Sequence, residues 1–401
     1  MDFVFIQLLK SSNKTNSQCG KPRKYVEFTN NGAWCWFQDP RAVFIEGECK
    51  KTYAQWLTNE EELQVGSYNH ESEKINIFTL KSNWDYDDHN VGSFLVLPDN
   101  RIMAFYARHN RRGIYSRTTT NPEDITSWEE EITITNQRRI TYSHPVFLRE
   151  ENKYYVFFRG KTWKPTWCES ENGKNWSEPR VLIQDEERTK RTIRPYTKVF
   201  SNNQNSIHIV YTDGHPRKQK YNSVYYLKYQ DQRLQRASGE TIAEGWEGQI
   251  SPDSCDLVYD GTLGEGRGWV WDLTEDENGK PCVLYTRIPS KKDHKYHRAT
   301  WNGKAWEDEK ICDGGKWFPQ TRRFRREKEP HYSGGMCFLP GNPDVVYLSR
   351  ERDGGFVLEK WEKAEVGWKS TVLSKGKTGV NVRPVVPRGW EKQQKGNDHV
   401  L

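Results

Sequence analysis

A short segment with a polar opening and an apolar body recurs seven times along this chain. It appears at Asp39 to Phe44, Asp88 to Val96, His144 to Leu148, Arg194 to Phe200, Trp269 to Leu273, His331 to Phe338 and Arg383 to Val386. Most copies lie roughly fifty residues apart, and a repeat of about that length built from short strands is the mark of a β-propeller. The expected fold is all-β: a seven-bladed β-propeller of four-stranded antiparallel blades. The polar openings mark where a function would sit.

Composition supports short strands. Aromatic residues make up 13% of the 401 residues, and all hydrophobic types together only 34%. Few aliphatics and many wide rings argue against a helical bundle or a Rossmann-type sheet, and suit rings wedged between small sheets. The formal charge of +6 is modest, and it does not by itself point to nucleic acid. No run of eighteen apolar residues occurs, so no membrane-spanning helix is expected. The eight cysteines form no CxxC pair and no metal-type spacing, which reads as small buried hydrophobes.

Second strands follow the openings, as in Arg101 to His109, Lys153 to Arg159 and Lys280 to Arg287, most of them after turns such as Pro98-Asp99-Asn100. Turns ending in Trp176, Trp306 and Trp368 mark the outer strands. The first approximates an Asp-box, a structural turn whose Trp packs between blades. The interval after Arg194 is long, so an insertion is expected near 235–265. The closing segment Asn381 to Val386 has no room after it for a full blade, and strands from Trp34 onward are expected to complete it. Residues 1–30 are polar, with a short apolar start that does not fit an intact signal peptide. They read as a disordered lead-in or signal remnant, leaving 31–401 as one propeller domain.

In a propeller blade the start of the first strand and the end of the second lie on one face. Those positions hold His89, His144, Arg194, His331 and Arg383, then His109, Arg159, His215 with Arg217, Arg287 and Arg350. A concave mouth rich in Arg and His is an anion site, and Arg implies a bidentate grip on carboxylate, sulfate or phosphate.

These residues also carry a resemblance. Trp36 to Val43, Asp87-Asp88-His89-Asn90, Phe105 to His109, Thr212 to Arg217 and Glu329 to Gly335 resemble the BNR-repeat seven-bladed propellers. That family includes ulvan lyases and rhamnose–glucuronate lyases, with related α-L-rhamnosidases. The resemblance spans roughly residues 33–390. It implies a polysaccharide lyase that cleaves a 4-linked glucuronate by β-elimination, with Tyr142 as base and acid, and with Arg159 and His89 at the uronate carboxylate. His89 and His109 would be the histidine pair of one hairpin. His144 departs from the pattern, since a small polar residue such as Asn is expected before Pro145.

Elimination needs the carboxylate neutralised, the C5 proton removed and O4 protonated. A phenol of pKa near ~10 is a weak base at neutral pH, and cations beside Tyr142 would lower that value. His109, His144, Arg194, Tyr196, His215, Arg217, Arg287 and His331 are the expected substrate contacts. The chemistry requires no cofactor, although His109 is a candidate ligand for a structural calcium or zinc ion in the channel. The expected partner is an anionic polysaccharide or oligosaccharide, with no nucleic acid, no membrane span and a monomeric state. Such a polymer is met outside the cytoplasm, so a secreted or periplasmic protein is expected. The alternatives are an α-L-rhamnosidase acting on rhamnose–glucuronate termini and a non-catalytic propeller that binds anionic glycan.

Overall fold

The computed structural model describes residues 4–10, 24–184, 194–246, 248–290, 292–315, 334–352, 354–374, 381–390 and 398–401. Among them, helix is limited to short 3-10 turns such as Asp88–Asn90 and Lys161–Trp163. No helix among the described residues is long and apolar enough to cross a membrane. The rest of the regular structure is antiparallel sheet in a propeller arrangement.

Among the described residues the strands form six sheets, not seven separate blades. Three sheets have the expected four strands: Ala42–Glu46 through Ile75–Lys81, Arg267–Glu275 through Trp306–Gly315, and Met336–Leu339 through Trp368–Val372. Ile132–Leu148 accounts for the lower count. Its first half pairs with Arg111–Thr118 and its second half with Lys153–Arg159, which joins two expected blades into one sheet of seven strands. No glycine or proline stands between Pro122 and Pro145 to interrupt the strand. Near 235–265, Arg233–Gln235 and Thr241–Glu244 form an added hairpin on Val224–Gln230, and Asp256–Tyr259 returns to pair with that same strand.

Within 1–30, the stretch expected to be a disordered lead-in or signal remnant, the described residues Val4–Lys10 and Lys24–Gly32 are strands. They pair with each other and, through Leu9 and Lys10, with His399–Val400. Val385 and Leu401 exchange both backbone hydrogen bonds. Strands before Trp34 therefore join the sheet at the last polar-start segment, and Ala42–Glu46 after Trp34 meets the same stretch through a parallel bridge between Val43 and Arg388. The polar composition misleads because an outer strand buries only one face: Val26 and Phe28 are buried while Tyr25 and Glu27, which alternate with them, are exposed.

Rings fill the space between sheets. In the turn before Trp176, Asn172 Oδ1 accepts from the Lys174 and Asn175 amides at 2.9 and 2.8 Å. Trp176 then meets Phe105 of the preceding hairpin edge-on at 6.0 Å. Trp306 does the same against Tyr226 at 5.2 Å. The seven described cysteines are free, and all but Cys49 are buried.

Candidate active site

Asn90 ties the first strand of its hairpin to the end of the second. Its buried carboxamide donates to the Trp84 and Asp85 carbonyls at 3.0 and 2.9 Å and accepts from the His109 amide at 2.6 Å. Asp87 caps the turn by accepting from the His89 amide at 3.1 Å. His89 and His109 are thereby brought face to face, with centroids 4.3 Å apart and planes 17° from parallel. Each Nδ1 bonds a different oxygen of Asp87, at 2.6 and 2.9 Å. Asp88 also reaches His89 Nδ1 at 2.8 Å and pairs with Arg383 at 2.9 Å.

The charges on this group are unequal. Burial opposes ionisation of His89, but Asp88, Cys35 and the bonds to Asp87 and Asp88 outweigh it and hold the imidazolium well above the usual histidine range. Burial and then the charge of His89 push His109 down, despite Asp87. One ring of the stacked pair is charged at neutral pH and the other is not. Burial also opposes ionisation of Asp87, yet its bonds to His109 and His89 hold it well below the carboxylate range.

Tyr142 sits where Ile132–Leu148 slips register, between Thr141 and His144. Its φ is +63°. A bulky residue in the left-handed region costs about 1–3 kcal/mol, so surrounding contacts must hold it there. The Arg159 guanidinium lies 4.8 Å from the Tyr142 ring and 5.2 Å from that of Tyr196. Arg159 Nη2 donates to Thr141 Oγ1 at 3.2 Å. Phe37 packs on both phenol rings at 5.3 and 5.0 Å, and the His89 ring is 5.8 Å from that of Tyr142. Burial would lower the Arg159 pKa, but Tyr196 and Tyr142 raise it, so the buried guanidinium stays charged. His215 adjoins Tyr196 at 5.6 Å and Trp269 at 5.0 Å. Burial, then Arg217, Lys218, Arg159 and His89, bring its pKa down to about 3.

The structure therefore gathers Tyr142, Arg159, His89, His109, Tyr196 and His215. Arg217 stands beside them, its amide donating to His215 Nδ1 at 3.1 Å. Arg194 lies at the margin, 3.8 Å from the Trp163 ring. Arg287 is held elsewhere: it pairs with Glu265 and, at 2.6 Å, with Asp308, and it covers Tyr259. His331 lies outside the described residues. Motif reading gave no roles to the acids Asp87 and Asp88 or to Asn90, Thr141 and Phe37. Two carboxylates directly before His89 were the available signal for the first pair.

His144 is buried behind the cluster, where its Nδ1 accepts from the Asp39 amide at 3.4 Å. Burial and then the charge of Lys198 lower its pKa to about 3. Between the ordinary histidine value of ~6.5 and about 3, the unfolded chain binds a proton that the folded chain refuses. This histidine's share of stability is complete above that window and declines as pH falls through it. His144→Asn should flatten the acid side of a pH–stability curve by about 1.4 kcal/mol per pH unit, read from urea unfolding at several pH values.

Comparison with known proteins bears on the family and the fold. The sequence pattern of the BNR repeat-containing family matches residues 51–313, well over half of the chain. No curated protein matches significantly. Among solved structures, the polysaccharide lyase Uly1 aligns with a TM-score of 0.54 at 12% identity, over 94% of this chain and 92% of that one. That likeness concerns the fold. The β-propeller domain of the Trilobed protease from Pyrococcus furiosus aligns at 0.42 and 12% identity, over 84% and 86%. A thermostable family-43 glycoside hydrolase aligns at 0.36 and 10%, over 73% and 95%. Both lower scores carry no argument about this chain.

Proposed function

This chain belongs to the BNR repeat-containing family, and from that premise we propose that it is a polysaccharide lyase cleaving a 4-linked glucuronate, of rhamnose–glucuronate or ulvan type, by β-elimination. The observation that carries the reading is the buried Arg159 guanidinium set against Tyr142 and Tyr196, with charged His89 beside Tyr142. Arg159 and His89 grip the uronate carboxylate, so negative charge developing at C5 is stabilised by groups already in place. The Tyr142 oxygen takes the C5 proton, and the freed electron pair becomes the C4–C5 double bond. The C4–O4 bond breaks, and the proton on Tyr142 passes to the departing O4. His109 and His215, both held neutral, contact the sugar, as do Tyr196 and Arg217.

Hydrolysis fits less well, because it ordinarily uses a pair of carboxyl groups. The acids beside the cluster, Asp87 and Asp88, are engaged by His89, His109 and Arg383. An enzyme for such a polymer works outside the cytoplasm, in a secreted or periplasmic setting. The test of the carboxylate grip is a substrate whose uronates have been reduced to neutral sugars. We expect no cleavage of the reduced polymer, and a fall of at least about a hundredfold in kcat/KM for Arg159→Ala on the native one. Equal cleavage of both polymers would remove the role given to Arg159 and His89.

A further inference from the structure

Given the glycan reading, on which this rests, we propose that Arg139 and Arg194 on Trp163, together with Lys218, form a second oxyanion subsite that holds a sulfate or carboxylate of the sugar next to the cleaved glucuronate. None of the four side chains belongs to the cluster that acts on the glucuronate itself. The Arg194 and Arg139 guanidiniums lie 3.8 and 4.8 Å from the Trp163 ring. Stacking uses the flat face of a guanidinium, and its N–H edge is the part that grips an oxyanion. Trp163 Nε1 donates to Asn110 Oδ1 at 2.8 Å. The Asn110 amide donates to Thr141 Oγ1 at 3.2 Å, the same atom that accepts from Arg159. One short chain of bonds thus fixes the Trp163 platform relative to the guanidinium that meets the uronate. Arg139, Thr162 and Trp163 all stand in the left-handed region, at φ +66°, +66° and +60°, a conformation that persists only where the surroundings impose it.

Lys218 comes from the loop 213–222, which is held from both sides. Its amide donates to the His215 carbonyl at 2.8 Å, and Arg267 Nη1 donates to the Pro216 carbonyl at 2.7 Å. Asn222 accepts from the Gly214 amide at 2.9 Å and donates to the Gly268 carbonyl at 2.6 Å. Partial burial and then the charges of Arg194 and Arg217 hold the Lys218 ammonium below the usual lysine range. Cations crowded in this way repel, and an anion among them relieves the repulsion. Among the described residues, no carboxylate pairs with Arg139 or Lys218. By contrast, Arg108 and Arg111 near the Asp87 turn are both taken by Asp85, at 3.7 and 3.2 Å.

Tyr142→Phe leaves the polymer uncut, so calorimetry on that full-length variant reads binding apart from reaction. It is titrated with ulvan, with ulvan stripped of its sulfate esters, and with glucuronan, in which every sugar carries a carboxylate. Each titration is repeated with Arg194→Gln and Lys218→Gln added, and a thermal melt checks the fold. If the second anion is a sulfate, stripping should weaken binding by about tenfold or more, and the added pair should weaken native ulvan equally while leaving the stripped polymer unchanged. If it is a carboxylate, glucuronan should bind tightest, and the added pair should weaken it by a similar factor. Either loss should shrink at high salt. Polymer cleavage by the wild type, with affinities indifferent both to stripping and to the added pair, would overturn the subsite alone. No binding of any of the three polymers would overturn it together with the glycan reading.

Discussion

Tyr142→Phe leaves a folded protein that no longer forms an unsaturated uronate. The substitution removes one oxygen and keeps the ring, so the packing of Phe37 and the Arg159 guanidinium over that ring persists. The backbone at φ +63° is unchanged in its demands. The proton-transfer group is lost, and such a group contributes about 10²- to 10⁴-fold. The fall should appear in kcat, with KM nearly constant, because Arg159 and His89 still hold the carboxylate. Initial rates and a thermal melt on the same preparation check both halves. Retained activity would mean that another residue is the base.

Asp39→Asn has the largest expected effect on stability. Asp39 pairs with Arg41 at 2.9 Å and with Lys198, and their side chains are 8%, 4% and 2% exposed. Lys198 also donates to the Trp36 carbonyl. Burial alone would raise the Asp39 pKa, but Lys198 and Arg41 hold it well below the carboxylate range. With the charge removed, two buried cations lose their counter-ion. Breaking such a group costs about 3–5 kcal/mol. Adding Lys198→Met to Asp39→Asn should recover part of the loss, because the stranded cation goes with it. In the wild type this carboxylate stabilises the fold above its unfolded pKa of ~3.9, and the contribution fades as pH falls below that value. Urea unfolding of the two variants measures the effect. The same pair supports the site, because the Asp39 amide bonds His144, two residues beyond Tyr142.

The mouth was legible because its logic is local. His89 and Tyr196 open first strands, and His109, Arg159 and His215 close second ones, so one rule about strand direction brings them together. Arg287 shows where the rule stops. It ends a second strand as Arg159 does, but Glu265 and Asp308 claim its guanidinium, and periodicity says nothing about which acids meet it. Tyr142 was readable as a residue and not as a conformation, since the register slip that holds it depends on pairing with Lys153–Arg159. The merged sheet escaped notice because Ile132–Leu148 carries two pairing patterns in one uninterrupted strand. Pairing of Val4–Lys10 with His399–Val400 joins residues nearly four hundred positions apart, and the apolar run in Val4–Lys10 does not say which distant strand it meets.

Elimination leaves a double bond conjugated to the uronate carboxyl, and hydrolysis does not. The decisive measurement is therefore ultraviolet-edge absorbance alongside new reducing ends, in one reaction, across ulvan, gum arabic, glucuronan and heparin-like chains. The account predicts that on at least one of these polymers absorbance rises in step with chain breaks. Chain breaks without absorbance, or tight binding with neither signal on any polymer, would contradict it.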